Sequence, residues 1–323
     1  VVYATADIDN PVYNPGNNSL KANSYTQSTG TLSGADAPNY GFGGYTTPTA
    51  NYVVEPGQIV SGMLNLATAG KRIYFVVNGT LLADQGITDA NGNYSAMFPL
   101  CSIGSNSALL AYVANDSAVK SASVYAAAGG DISGLALYTN TLTAYSSGGT
   151  ISNTTLGTAR GSVTSDDIPF TVSGNDLSLM NGISFVTASG TGYLINGAIT
   201  TLNGSQTYNG TVTLSGNTTL TASGTGGITF GGPVTGADDN LNATAGGDIT
   251  VGGPINVRTG SVTLTASNGA IINGMGSARS ITADSLVATA ANGIGSGNPL
   301  TTGVHNLSAV NTVVNNIQIS NTG

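Results

Sequence analysis

Asp238 and Asp239 stand side by side in a chain with very few charged residues, and Asp248, Arg258 and His305 follow them. Two carboxylates roughly 5–10 Å apart are the machinery of glycosidic-bond cleavage, one as acid and the other as base or nucleophile. A nearby cation would hold an acidic sugar. A second candidate is Asp89-Ala90-Asn91-Gly92-Asn93, whose alternating oxygens are of the kind that ligate calcium. A helix-flanked calcium loop, however, needs its glycine one position later and a glutamate at its twelfth position, where Leu100 stands. The segment therefore reads as a turn closed by Asx hydrogen bonds. Metal and nucleophilic chemistry have little else to draw on: one His, one Cys, no Gly-x-Ser-x-Gly and no phosphate loop. Cys101, in Phe98-Pro99-Leu100-Cys101, reads as a small buried hydrophobe and has no disulfide partner in the chain. No catalytic, cofactor or metal residue is assigned, and the reading is that the chain is not an enzyme.

The elements that would position these groups are set by composition. The 323 residues include 47 Gly and no Trp, and only 7% are charged, with Glu55 the single glutamate. Long amphipathic helices need polar faces rich in Lys and Glu, so an all-helical protein is excluded. Disordered chains combine low hydropathy with high charge, whereas here 40% of residues are hydrophobic and mean hydropathy is +0.14. No apolar run approaches the roughly 18 residues of a membrane span. Net charge is −8, and Lys21, Lys71, Arg72, Lys120, Arg160, Arg258 and Arg279 are scattered, which argues against a nucleic-acid partner. Short β-branched bursts between glycines predict an all-β protein.

Four zones follow. Residues 1–55 carry six of the 14 Tyr, four of the 10 Pro and turn signals such as Asn14-Pro15-Gly16-Asn17, predicting an extended β segment. Residues 56–128 read as a small antiparallel, immunoglobulin-like sandwich, with the Asn78-Gly79 hairpin joining Lys71–Val77 to Thr80–Ala83. Residues 129–205 read as a transition with irregular first coils.

Residues 206–323 carry the clearest pattern. Leu220, Leu241, Leu264, Leu286 and Leu307, each followed two residues later by Ala, recur at spacings of 21, 23, 22 and 21. Ile228, Ile249, Ile272, Ile294 and Ile317 run in step at 21, 23, 22 and 23. A period of about 22 residues built from short strands and Gly or Asn turns predicts a coil of a parallel β-helix, with like residues stacked at about 4.8 Å. The Gly-Gly pairs at 226–227, 231–232, 246–247 and 252–253 read as corners that need positive φ. Thr229, Thr250 and Thr265 raise a further reading, an outward threonine ladder that binds ice or another regular surface.

Gln206-Thr-Tyr-Asn-Gly-Thr-Val-Thr-Leu-Ser-Gly-Asn-Thr-Thr-Leu-Thr-Ala222 and Ser280-Ile-Thr-Ala-Asp-Ser-Leu-Val-Ala-Thr-Ala-Ala-Asn-Gly-Ile-Gly295 resemble repeats of filamentous-haemagglutinin-like giant exoproteins. Gly34-Ala-Asp-Ala-Pro-Asn-Tyr40 and the stretch from Val77 to Tyr94 resemble modules of the same proteins. The resemblance implies an extracellular or bacterial cell-surface fibre, acting in adhesion, aggregation or matrix building. It implies self-association, end to end or lateral, and host or neighbouring-cell glycans or proteins as further partners. The family's amino-terminal secretion domain has no counterpart here, so the expectation is a piece of a larger chain. Asp238-Asp239 is similar to the paired aspartates of pectin-hydrolysing β-helices, but the Asn-x-Asp, Gly-His-Gly and Arg-x-Lys elements of that family are missing. A polysaccharide hydrolase or lyase is therefore the rival reading.

Overall fold

The computed structural model describes residues 57–323, apart from positions 100, 127, 128 and 148, and short pieces of the first 56. The protein is all-β, 53% strand, with one helix among the described residues. Residues 1–58 with 97–102 form one unit and the remainder another. In the first, Asn23–Tyr25 pairs antiparallel with Tyr52–Val54, and Asp9 accepts hydrogen bonds from the hydroxyls of Thr26 and Ser28. Tyr3–Ala4 pairs antiparallel with Leu32–Ser33, and Gln27–Thr29 with both Asp7–Ile8 and Tyr45–Thr46; most of the remaining residues of the expected extended segment lie outside the described ones. Cys101 is exposed, in a turn with φ of 67°, rather than buried as its apolar neighbours suggested.

The second unit contains a parallel β-solenoid of about 9 turns over residues 121–321, with coils of roughly 21 residues. A regular coil has three short strands, for example Ile228–Phe230, Val234–Thr235 and Leu241–Ala245, each alternating inward and outward residues. Stacking begins well before residue 206. Ser121–Ala126 pairs in parallel with Thr141–Ser146, that strand with Ser184–Thr187, and that one with Gln206–Tyr208. The period is hidden there because the coil starting at Thr141 carries an insertion: helix α1 (Asn153–Arg160) and the hairpin Phe170–Ser173/Asp176–Leu179. Ser152 caps α1 in a reciprocal box with Thr155, and Gly161, with φ of 54°, ends it. Leu156 and Ala159 are fully buried in the same core as Leu110, Tyr112 and Leu142. The helix thus closes the apolar interior where regular stacking starts.

The antiparallel strands that precede the solenoid continue its first face. The hairpin at Asn78-Gly79, with both residues at positive φ, joins Arg72–Val77 to Thr80–Ile87. Ala108–Ala114 pairs between Arg72–Val77 and Ser121–Ala126, giving one ten-stranded sheet. A smaller sheet that includes Ile132–Leu137 packs against it, with Phe75 and Tyr94 rings 6.2 Å apart and the Tyr94 hydroxyl donating to Leu135 O.

The interior columns correct two expectations of register. On the first face, Ile228, Ile249, Ile271, Ile294 and Ile317 follow one another; Ile272 instead pairs with Thr250 on the outer side and is 38% exposed. A spacing count cannot choose between adjacent isoleucines, yet a one-residue slip reverses the side on which a residue lies. On the third face, Leu220 lies beside Ala243 rather than Leu241, Ala243 beside Leu264, and Leu264 beside Ala288. The neighbouring column runs Thr218, Leu241, Val262, Leu286, Leu307. Coil lengths alternate, so Leu meets Ala in one column, and large and small side chains interleave between rungs.

The glycine pairs also act differently from expectation. None of the eight residues has positive φ; they are close-approach positions. A Cβ on Gly232 would lie 2.2 Å from Gly210 O, and one on Gly253 would lie 2.3 Å from Gly232 O, so each corner admits only a bare backbone.

Chemical denaturation tests the register. Ile271→Thr should cost about 2–4 kcal/mol through lost burial and a buried hydroxyl, whereas Ile272→Thr should stay within about 0.5 kcal/mol. Ala243→Leu should cost about 1–3 kcal/mol by overpacking against two leucines. An Ile272→Thr penalty equal to that of Ile271→Thr would contradict these columns.

Candidate functional site

Two of the three carboxylates expected to do chemistry, Asp238 and Asp248, are engaged in joining one coil to the next. Asp238 lies at a turn with φ of 84°, and its Oδ1 accepts from Thr259 Oγ1 at 2.7 Å, one coil further on. Asp248 Oδ1 accepts from Ala270 N at 2.8 Å, again across a coil. Asn217 and Asn240 do the same toward Asn240 N and Ser261 N. A backbone N–H at a coil corner has no ladder partner, so a short side-chain acceptor in the adjoining coil satisfies it. Thr259's hydrogen bonds hold the Asp238 carboxyl below its ordinary range, and Arg258 adds a smaller electrostatic contribution.

The candidate residues are thus dispersed, all but His305, which lies within Leu300–Asn311, falling at corners. Asp238, Asp239 and Arg258 belong to turns between the second and third faces, and Asp248 to a turn between the third and first. His305, 79% exposed at its side chain, meets Asp284 through Nδ1 at 3.1 Å, and Asn306 donates to the other Asp284 oxygen. Among the described residues no three of His, Cys, Asp and Glu converge as a metal set. Asp89 closes the expected Asx turn, its Oδ1 accepting from Asn91 N and Asn93 N, both at 2.8 Å.

The outward threonines are likewise rearranged. Thr229 and Thr250 stack on the first face, while Thr265 belongs to the third. There the column is Thr200, Thr221, Thr244, Thr265 and Thr289, uninterrupted over five rungs. Asn242 and Val287 interrupt the column beside it.

Polar residues inside the early coils were not foreseen. Gln206 takes an interior place between Phe185 and Ile228, its Nε2 donating to Ile199 O and Thr221 O and its Oε1 accepting from Tyr208 Oη at 2.8 Å. Asn153 donates to Asn175 O and Ala198 O and accepts from Tyr193 Oη at 2.7 Å. Burial pushes both tyrosine hydroxyls well above their ordinary pKa. The signal available in sequence was parity: Gln206 and Tyr208 are two apart, as inward residues of one strand must be.

In the last coil two column residues are partly exposed. Leu307 and Ile317 are 42% and 43% exposed, although Leu307 pairs with Leu286 and Ile317 with Ile294, both buried; Val310, 47% exposed, pairs with Thr289 in the outward column. The sequence pattern gave Leu307 and Ile317 the same interior role as the other eight ladder residues. Position in a column therefore does not by itself bury a residue. What these side chains offer chemically is apolar contact.

Compared with protein-family models, curated proteins and solved structures, the chain finds no match in any of the three.

Asp238 generates a pH prediction. Its folded pKa lies below the reference 3.8, so its contribution is present above that value and is lost as pH falls through the folded pKa. Asp238→Asn, which keeps the shape and tolerates the turn, should melt below the parent near neutral pH, and the difference should close on acidification below 3.8. Thermal melts over a pH series would reveal a constant gap if the charge were irrelevant.

Proposed function

We propose that this chain is a structural, adhesive segment of an extracellular fibre at the bacterial cell surface. It works through length, stiffness and subunit contact rather than chemical turnover. The observation that carries the reading is the continuity of the stacked apolar columns through about nine coils. Copies of the chain associate through exposed apolar side chains, Leu307 and Val310 among them. The likeness of the repeats to filamentous-haemagglutinin-like exoproteins supports the cellular setting. The sparse charge, with only 7% titratable side chains of the DEKR type, supports a role that asks little of acid–base chemistry. Asp238, Asp248 and Asp284, each occupied in coil-to-coil hydrogen bonds, favour a non-enzymatic role over polysaccharide cleavage. No described helix is long and apolar enough to cross a membrane.

Analytical ultracentrifugation across a concentration series, with negative-stain imaging, tests the contact. The parent should form concentration-dependent assemblies. Leu307→Asp combined with Val310→Asp should shift it to monomer with its circular dichroism unchanged, since both side chains are already exposed. A parent that stays monomeric at the highest concentration would refute self-association.

A further inference from the structure

We infer that a cleft on the first face of the solenoid binds an uncharged oligosaccharide. The cleft has a volume of about 540 Å³, within the range of small-molecule sites, and Tyr138, Tyr145, Thr143, Asn65, Ser189 and Asn209 are among its lining residues. It arises where a covering layer stops. The outward serines of the first rung are hidden beneath Ile132–Leu137, with Ser121 Oγ donating to Tyr138 O and Ser123 Oγ to Ala136 O. On the next rungs that cover is gone, and Thr143 and Val186, which follow Ser123 in the same outward column, face the cleft instead.

Three features select the ligand. First, the two tyrosine rings are presented differently: Tyr138 is 43% exposed, whereas Tyr145 is held by its hydroxyl, which donates to Ala136 O at 3.3 Å. An aromatic face suits the C–H side of a sugar ring, giving apolar contact to a molecule that is otherwise polar. Second, Thr143 is 1% exposed, and its Oγ1 is the one buried side-chain polar atom among the described residues without a hydrogen-bond partner. A buried hydroxyl left unpaired is unfavourable, and a ligand hydroxyl reaching the cleft floor would satisfy it after a χ1 rotation. Third, no lining residue is charged. Thr, Ser and Asn supply donors and acceptors that match sugar hydroxyls, while nothing there would pair a uronate or a phosphate. Asn65 is positioned for the task because its Oδ1 accepts from Thr139 N at 2.8 Å, which fixes the direction of its amide NH2 group. The lining spans three rungs, from Thr141 through Val186 to Asn209, so a saccharide of two or three residues can run along the axis at a rung spacing of about 4.8 Å.

The test uses the full chain and four soluble probes: cellotetraose, mannotetraose, chitotetraose and, as the charged comparison, tetragalacturonate. Titrations followed by tyrosine fluorescence and calorimetry should give saturable binding of at least one neutral probe and none of tetragalacturonate. Tyr138→Ala should weaken that binding about tenfold or more by removing the exposed ring. Thr143→Val should weaken it while leaving the melting temperature unchanged or raised, because it deletes an unpaired hydroxyl; a merely structural threonine would lower stability instead. Leu307→Asp with Val310→Asp should bind as the parent does, separating this site from self-association. Absence of binding by every neutral probe, preferential binding of tetragalacturonate, or parent-like binding by Tyr138→Ala would each overturn the assignment.

Discussion

Parallel backbone pairing between successive coils is the constraint from which the rest follows. Each coil lies about 4.8 Å from the next, and every interior side chain is bounded above and below by residues from other coils. No coil can therefore choose its interior alone. Leu264 fits because Ala243 and Ala288 flank it, and Gly253 is needed because Gly232 O occupies the place of its Cβ. The same constraint governs the corners. Where the chain leaves one strand for the next, the ladder lapses, and Asp or Asn from an adjoining coil supplies the missing acceptor.

Perturbation of that regularity is concentrated near α1, and the compensations are local. The inserted helix fills the broad beginning of the interior with Leu156 and Ala159, and aromatic residues fill the next coils. Phe185 meets Tyr193 and Tyr208 edge-on at 5.3 and 5.8 Å, and Tyr208 stacks on Phe230 at 5.7 Å. Tyrosine brings hydroxyls into the interior, and Gln206 and Asn153 are the polar counterparts that accept them. Beyond Phe230 the columns turn mainly aliphatic, with Asn273 as a later polar member that follows Val251, donates to Gly276 O and Pro299 O and accepts from Ser280 Oγ. The interior thus changes from an aromatic, hydrogen-bonded section to one mainly of Ile, Leu, Val and Ala.

These differences decide what could be read in advance. The existence of coils was legible because Ile228-Thr-Phe-Gly-Gly-Pro-Val234 and Ile249-Thr-Val-Gly-Gly-Pro-Ile255 repeat nearly unchanged, and both ladders beat at the coil period. Register was not legible wherever two apolar residues adjoin, as at Ile271-Ile272, or wherever Leu-x-Ala can slide by two places and keep its parity. The early coils were hidden because α1 and its hairpin break the period, although Ser152-x-x-Thr155 with Gly161 carried a capping signature. Carboxylate pairs drew attention as acids and bases because a sequence lists residue types without their partners. Hydrogen bonds from a coil one circuit away, such as Thr259 to Asp238, supply the missing reason for those residues.

Function in such a molecule resides in what the repeating pattern leaves unfinished. A solenoid face that continued unchanged would present the same Thr and Asn side chains at each rung, with no one place distinguished from another. Distinction arises where the pattern changes: around Leu307 and Val310, where apolar side chains lie exposed, and beside Tyr138, where the overlying strand ends and Thr143 is left with a buried, unpartnered hydroxyl. The two places differ in kind. The first offers apolar contact; the second is concave, uncharged and lined with hydroxyls and amides, which suits a small polyol. A rod assembled through one would display the other at intervals along its length, so that rigidity sets the spacing of many individually weak contacts and multivalency supplies the strength that no single cleft provides.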